Sequence, residues 1–325
     1  MAKRKTYKPP YELRSSYLKT VGTINKLIGQ LEGYGQLTGN LKLRRENKIK
    51  SVLSSVAIEG NRLTVEQVSA ILDGKRVWGP AQDIQEVMNA LKVYNQITTL
   101  DAYNEDDLLS SHADLMAALI PDAGRYRSSN IGVMDGPTVI HLGPPPLRVP
   151  QLMGDLFDYL QHYDEEILVK SCVFHYEFEF IHPFSDGNGR MGRLWQTVIL
   201  MREHPILQFV PFENIVHRRQ EKYYQALQDS QSVGSSDPFI EFMLNALQTA
   251  LEEEVEKIGD EKSENSRITA FLTMLKEPTF TRADYRKFHR NVSPATATRD
   301  LNEAVDDNLI SVSGNTKNRR YTPNT

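Results

Sequence analysis

Between His182 and Arg193 the chain reads His-Pro-Phe-Ser-Asp-Gly-Asn-Gly-Arg-Met-Gly-Arg, and almost every residue type in it suits one part of phosphate chemistry. An imidazole ordinarily titrates near neutrality, so His182 is of a type that can take a proton from an attacking hydroxyl. Asp186 offers a hard carboxylate oxygen of the kind that holds Mg²⁺ on a di- or triphosphate. Gly187 and Gly189 permit backbone conformations that aim consecutive N–H groups into one concavity. Arg190 and Arg193, three apart on a helix, place two guanidinium groups on one side, where they can grip phosphate oxygens in pairs. The elements that must position these groups can be read on either side. Leu168, Cys172, Val173 and Tyr176 mark one apolar helix face before the turn, and Met191, Leu194, Trp195 and Val198 mark another after it. The turn therefore stands at a helix N-terminus, where free N–H groups and the dipole favour an anion.

From Leu13 to about Leu251 most of the chain scans at helical spacing, as in Ile49, Val52, Leu53, Val56 and again in Val65, Val68, Ile71, Leu72. Thr64 with Gln67 predicts a capping box, and Asp73-Gly74 predicts the end of that helix. Glycine and proline cluster from Gly124 to Pro150. There Ile131–Met134 faces Thr138–His141 across Asp135-Gly136, a hairpin signal, and Pro144–Pro146 forces an extended segment before a helix around Leu152–Tyr163. Residues 252–265 turn polar and charged, which suggests a helix end running into a linker. Beyond it, Ile268–Leu275 reads as a helix, Thr281 caps a second and Ser293-Pro294 starts a third; Leu309–Val312, Gly314-Asn315 and Arg320-Tyr321 then read as a hairpin. That order is the order of a winged helix. The expected fold is all-α, mainly helical with a small β-hairpin flap, followed by a C-terminal winged helix-turn-helix domain.

Composition bounds the rest. With 325 residues, 40% hydrophobic and 25% charged, the chain is long enough for two or three domains of ordinary globular character. A net charge of −4 argues against coating nucleic acid over its whole surface, so any DNA contact is local. The tail, residues 266–325, carries ten basic against six acidic side chains. Ser293, Thr296, Thr298 and Arg299 on its third helix and Lys317–Arg320 in its wing are a candidate DNA contact, with protein binding as the alternative. The single cysteine, Cys172, excludes an internal disulfide and a thiolate zinc cluster and reads as a small buried residue. Lys3, Arg4 and Lys5 are followed by Tyr7–Tyr11 with two prolines, not by an apolar run, and no stretch of about 18 apolar residues occurs. A cytoplasmic protein with no membrane partner is expected; a homo-oligomer is left open.

The stretch His182–Arg193 resembles the core motif of the Fic family, His-Pro-Phe-x-Asp/Glu-Gly-Asn-Gly-Arg-x-x-Arg, at every fixed position. The similarity extends to His112–Met116, to Gly124–Arg127 and to Tyr223–Leu227, covering about residues 8 to 250. The resemblance implies a catalytic domain over residues 106–250, after an N-terminal helical region 1–105 and before a linker 251–265 and the winged helix 266–325. It implies His182 as general base, Asp186 as the Mg²⁺ ligand, and Gly187, Asn188 and Gly189 on the α and β phosphates of ATP. Arg190 and Arg193 would reach the distal phosphates, with Met191 and Gly192 in the same nucleotide-binding stretch, and Phe184 packs into the core. Tyr223 and Tyr224 border the adenine or belong to the core. It also implies that the flap strand Thr138, Val139, Ile140, His141 pairs with an extended target segment.

Ser55-Val56-Ala57-Ile58-Glu59-Gly60 resembles the family's inhibitory motif, Ser/Thr-x-x-x-Glu-Gly/Asn. Physically, Glu59-Gly60 is a helix C-terminus, where an acid is mildly unfavourable against the dipole and needs another reason. The resemblance implies that Glu59 pairs with Arg193 and stands where the ATP γ-phosphate would lie. The implied activity is protein adenylyltransfer: AMP moved from Mg-ATP to a Ser, Thr or Tyr hydroxyl of a protein, including its own chain. Removal of AMP by the same site, or a DNA-binding regulator whose Fic domain senses ATP or modifies itself, are the alternatives. Phosphotransfer, as in the Doc branch, ranks below these because a lysine stands there where this chain has Gly189.

Overall fold

The computed structural model describes residues 7–34, 41–135, 138–275, 277–290, 292–314 and 319–324; within these, the side chains of residues 34, 133–135, 138–141 and 260–266 are not described. The chain divides into two units, residues 1–254 and 255–325.

Among the described residues, the regular structure of the first unit is helical apart from one hairpin. In α1 (Ser15–Tyr34) the residues Tyr17, Val21, Ile24, Ile28 and Leu31 recur at helical spacing and are buried. Helix α2 (Leu41–Ile58) buries a mixed face: Ile49, Val52 and Val56 beside the polar Asn47, Ser51, Ser54 and Ser55. Thr64 opens α3 (Val65–Leu72) with the capping box its spacing predicts. Helices α4 (Ala81–Gln96) and α5 (Glu105–Leu115) follow. Strands β1 (Gly132–Asp135) and β2 (Thr138–Leu142) pair antiparallel, Gly132 opposite Leu142 and Asp135 opposite Thr138, with a register shift between Val133 and Met134. Helix α6 (Val149–His162) leads to the centre of the unit, α7 (Ile167–Ile181) against α8 (Asn188–Met201). Every residue of α7 from Ile167 to Phe178 is buried, the mark of a helix enclosed on all sides. Helices α9 (Phe212–Arg218), α10 (Gln220–Val233) and α11 (Asp237–Met274) complete the chain order, α11 running from the first unit into the second.

From Tyr7 into the first turn of α1 the chain is tied down by hydroxyl-to-carboxylate bonds. Tyr7 Oη donates to Glu177 Oε2 (3.1 Å) and Tyr17 Oη to Asp237 Oδ1 (2.7 Å). Tyr11 and Tyr159 both donate to Glu165, and Lys8 pairs with it at 3.0 Å.

In the second unit, α11 from Val255 onward is joined by α12 (Arg282–Phe288), α13 (Pro294–Asp306) and the antiparallel pair β3 (Ile310–Ser313) and β4 (Arg320–Pro323). Thr281 and Ser293 cap α12 and α13 through their side chains. The core holds Ile268, Phe271, Phe280, Tyr285, Leu301 and Tyr321. Inside it the wholly buried Asp300 carboxylate takes both arms of Arg267 (3.0 and 2.9 Å) and the Tyr285 hydroxyl (2.8 Å). Residues 251–265, expected as a helix end and linker, are instead helical throughout α11. Glutamate and lysine are good helix formers, and Leu251, Glu254 and Ile258 give the stretch a buried side at helical spacing. The helix expected at Ile268–Leu275 is the end of this same element. Asn315 and Lys317 of the expected turn and wing lie outside the described residues.

Candidate active site

Helix α7 ends at His182, which takes the left-handed conformation at φ 50° and ψ 62°. Pro183 follows it and could not continue the helix. Near 3.3 Å, His182 Nδ1 faces the Glu179 carbonyl; with the proton on Nδ1 the ring's lone pair is on Nε2. The helix end is closed by Arg127, only 3% exposed. Its Nε donates to His182 O (2.8 Å), its Nη2 to Ile181 O (3.3 Å) and Pro144 O (2.6 Å), and its Nη1 to Ser129 O (2.9 Å). One guanidinium thus takes the orphan carbonyls of the helix C-terminus and ties them to both flanks of the hairpin.

The turn itself is held from within and from α5. Asn188 accepts from Phe184 N and donates to Phe184 O, both at 2.9 Å. Gly187, the residue before α8, has φ 82°, and a Cβ there would lie 2.6 Å from Met116 Sδ. His112 of α5 stacks on Phe184 with ring centroids 3.6 Å apart. Its Nδ1 accepts from Gly124 N (2.9 Å), so the proton is on Nε2, which donates to Asp186 O at 3.0 Å. Burial pushes the imidazole pKa down to about 4, which keeps this pivot neutral.

The charges gather at the N-terminus of α8. Arg193 is completely buried: Nη2 donates to Glu59 Oε1 (2.7 Å) and Ser55 O (2.9 Å), and Nε to Ser55 Oγ (3.3 Å). Burial would lower its pKa, but the Glu59 carboxylate and other nearby acidic groups outweigh that and hold it above the ordinary guanidinium value. Arg190 is 5% exposed, with Nη2 3.2 Å from Asp186 Oδ1 and Nη1 3.6 Å from Glu86 Oε1. Among the described residues, Arg190 Nε and Nη1 and Arg193 Nη1 find no hydrogen-bond acceptor. An unsatisfied buried donor costs about 1–3 kcal/mol, and three on cationic groups at one helix N-terminus fit an anionic ligand with several oxygens. Asp186, its side chain 58% exposed, stands beside them. Its Oδ1 also accepts from Gly187 N (2.6 Å), and its exposure suits a hydrated divalent cation on the same ligand.

The structure thus brings together His182, Asp186, Gly187, Gly189, Arg190, Arg193, Ser55 and Glu59. A Cβ on Gly189 would run into Glu59 Oε1. Met191 is wholly buried, and Gly192 lies so close to α7 that a Cβ would be 2.7 Å from both Glu179 and His175. Tyr223 is also in the core, its hydroxyl 3.2 Å from His175 Nε2. Tyr224 is 39% exposed and donates to Ile58 O at 3.4 Å. Thr138–His141 form a strand, but their side chains lie outside what is described. The resemblance marked the segments that hold His112 and Arg127 but not what these residues do, and nothing in the sequence marked Glu86; all three act on the turn from other elements.

A model of the Fic/DOC family matches residues 102–200. The chain is 31% identical over 231 residues to a protein adenylyltransferase Fic of Nematostella vectensis, covering 66% of this chain and 51% of that one. It is 29% identical over 188 residues to a probable protein adenylyltransferase of Aquifex aeolicus, covering 56% of this chain and 54% of that one. The chain therefore spans about half the length of the curated relatives it matches. Among solved structures it is similar to a Fic family protein from Desulfovibrio desulfuricans G20, at 40% identity and a TM-score of 0.76 over 98% of both chains. It also shares the fold of Fic-1 from C. elegans, at 21% identity and a TM-score of 0.60 over 76% of this chain and 74% of that one.

Proposed function

Because the chain belongs to the Fic/DOC family, matching a Fic protein over 98% of its length at 40% identity, we propose that it is a protein adenylyltransferase held in check by its own Glu59. The observation that carries this reading is the set of three buried guanidinium nitrogens without acceptors among the described residues, two on Arg190 and one on Arg193, on the helix that follows the His182 turn, with a carboxylate of the same chain, Glu59, paired to Arg193. ATP is the ligand that fits. Its distal phosphates would meet Arg190 and Arg193, and its inner phosphates the backbone N–H groups of Gly187, Asn188 and Gly189. Asp186 would hold Mg²⁺, which would spread the charge of the triphosphate.

His182 Nε2 accepts the proton of a Ser, Thr or Tyr hydroxyl. The hydroxyl oxygen attacks the α-phosphorus, the bond to the bridging oxygen breaks, pyrophosphate leaves, and AMP stays on the protein. The backbone of β2 offers an edge on which an extended target could pair; the target includes this chain itself. Glu59 supports the inhibitory reading by position: it takes one arm of Arg193 and fills the space over Gly189, where the γ-phosphate would lie. ATP could then bind only with its α-phosphate turned from the line of attack.

Incubation with ATP labelled at the α or the γ phosphate, comparing wild type with Glu59→Gly, tests the reading. Transfer of the α label, increased by the substitution, is expected. Transfer of the γ label would mean phosphotransfer, and no transfer of either from any variant would remove the enzyme. For the second unit we propose a winged helix. Its three helices followed by a hairpin support this, as does the exposure of Ser293, Arg299 and Arg319. A DNA mobility shift that is lost with Arg299→Ala would favour a nucleic-acid partner.

A further inference from the structure

The inhibitory glutamate sits on a turn, and a turn needs holding. Helix α2 closes in a Schellman pattern: Asn61 N donates to Val56 O (3.2 Å) and Gly60 N to Ala57 O (3.0 Å), with Gly60 left-handed at φ 93°. Those bonds fix the backbone, but Glu59 still carries a negative charge at a helix C-terminus, where the dipole disfavours it. Asn61 supplies the anchor. It is 7% exposed and fully bonded: Nδ2 donates to Asp83 O (2.9 Å) and Glu86 Oε2 (3.0 Å), and Oδ1 accepts from Leu63 N (3.1 Å). Glu86 in turn divides its two oxygens. Oε2 takes the turn, while Oε1 accepts from Gln82 (3.2 Å) and lies 3.6 Å from Arg190 Nη1.

We propose that Asn61 and Glu86 are positioning residues that couple the Glu59 turn to Arg190, so that the brake bears on both motif arginines, on Arg193 through Glu59 and on Arg190 through Glu86. This rests on the reading of Glu59 as inhibitory. Its physical content is a carboxylate used as a bridge: Arg190 steadies Glu86 through one oxygen, and Glu86 holds the turn through the other. Arg190 carries Nε and Nη1 without acceptors among the described residues, so incoming phosphate oxygens would draw it from Glu86, whose other oxygen holds the turn. Phosphate binding and loosening of the Glu59 turn then favour each other, as linked equilibria must.

The test uses the full chain and a ratio, the AMP transfer of the Glu59→Gly form divided by that of the same chain with Glu59 present, at saturating ATP. The ratio cancels effects on the catalytic groups themselves. Asn61→Asp keeps the shape and the bond from Leu63 but gives up both Nδ2 donations and sets a carboxylate against Glu86, and it should lower the ratio about fivefold or more, since one buried hydrogen bond alone is worth about that factor. Adding Glu86→Gln rebuilds the amide–carboxylate pair in reverse and should return the ratio to within about twofold of its original value. In the Glu59→Gly background, Glu86→Gln should lower the KM for ATP more than it changes kcat, because Arg190 no longer has a carboxylate to leave when phosphate arrives. An unchanged ratio in folded Asn61→Asp, or no recovery in the pair, overturns the coupling. A fall in kcat alone would overturn the assignment of Glu86 to Arg190. If Asn61→Asp does not fold, as judged by its melting curve, Asn61→Ser removes the same donor and the same fall is required of it. A ratio of one in the otherwise wild-type chain would instead show that Glu59 is no inhibitor, a failure visible before any strut variant is made.

Discussion

His182 is held in a left-handed conformation at φ 50°, which costs a non-glycine residue about 1 kcal/mol or more. Arg127 offsets that cost by binding the carbonyls on both sides of the residue's α-carbon, those of Ile181 and His182. In the proposed mechanism His182 acts on the hydroxyl and not on the triphosphate. His182→Ala should therefore cut AMP transfer by roughly 10²-fold or more while ATP affinity by calorimetry stays near wild type; wild-type turnover would remove the mechanism. The Glu59–Arg193 pair makes a second prediction. With Arg193 wholly buried and Glu59 32% exposed, Glu59→Gly leaves a buried charge with one fewer partner. It should lower the stability of the nucleotide-free protein by about 1–3 kcal/mol while raising transfer. Adding ATP should recover much of that loss. Arg193→Ala should abolish transfer even in the Glu59→Gly chain, if the arginine orients the triphosphate with or without the glutamate as proposed.

At the scale of elements, α7 carries a buried acid, Glu177, bonded to Tyr7. Burial lifts the Glu177 pKa from 4.5 to about 7, against hydrogen bonds from Tyr7 and Ser236 that pull it down. The folded state therefore keeps a proton that the unfolded chain releases, and stability falls as pH rises from about 4.5 to about 7. His112 works in the opposite sense, weakening the fold as pH drops from 6.5 towards about 4. Comparison with Glu177→Gln isolates the first effect. The two proteins should melt alike at low pH, and the glutamine form should be the more stable above neutrality, by up to about 3 kcal/mol. Elements also decide what could be read in advance. The turn after α7 was legible because base, carboxylate, glycines and arginines follow one another in a single stretch, and the capping residues Thr64, Thr281 and Ser293 act on neighbours three residues away. The parts played by Arg127, His112 and Glu86 were not, although the first two stand in segments that resemble the family, since each works through a partner brought to it only by folding. The charged run at 252–265 reads equally as exposed linker or exposed helix. A glutamate, Glu254, stands at one of its buried positions and hides the period.

At the scale of the whole molecule, the two units have separate cores, and the second is pinned by one charged cluster. Asp300→Asn would leave Arg267 without its buried counter-charge, at a cost of about 3–5 kcal/mol. Calorimetry should then show the transition of the second unit moved down, with that of the first unit and AMP transfer both unaltered; a loss of transfer in step with that transition would mean the units do not fold independently. Glu59, by contrast, belongs to the same unit as the arginine it holds. A tethered group has an effective concentration set by chain geometry and not by how much protein is in the tube. If Glu59 is the inhibitor, the degree of inhibition should be the same in a dilute cell extract as in a concentrated stock. Only something that competes with the carboxylate locally, or pulls its turn away, could shift it.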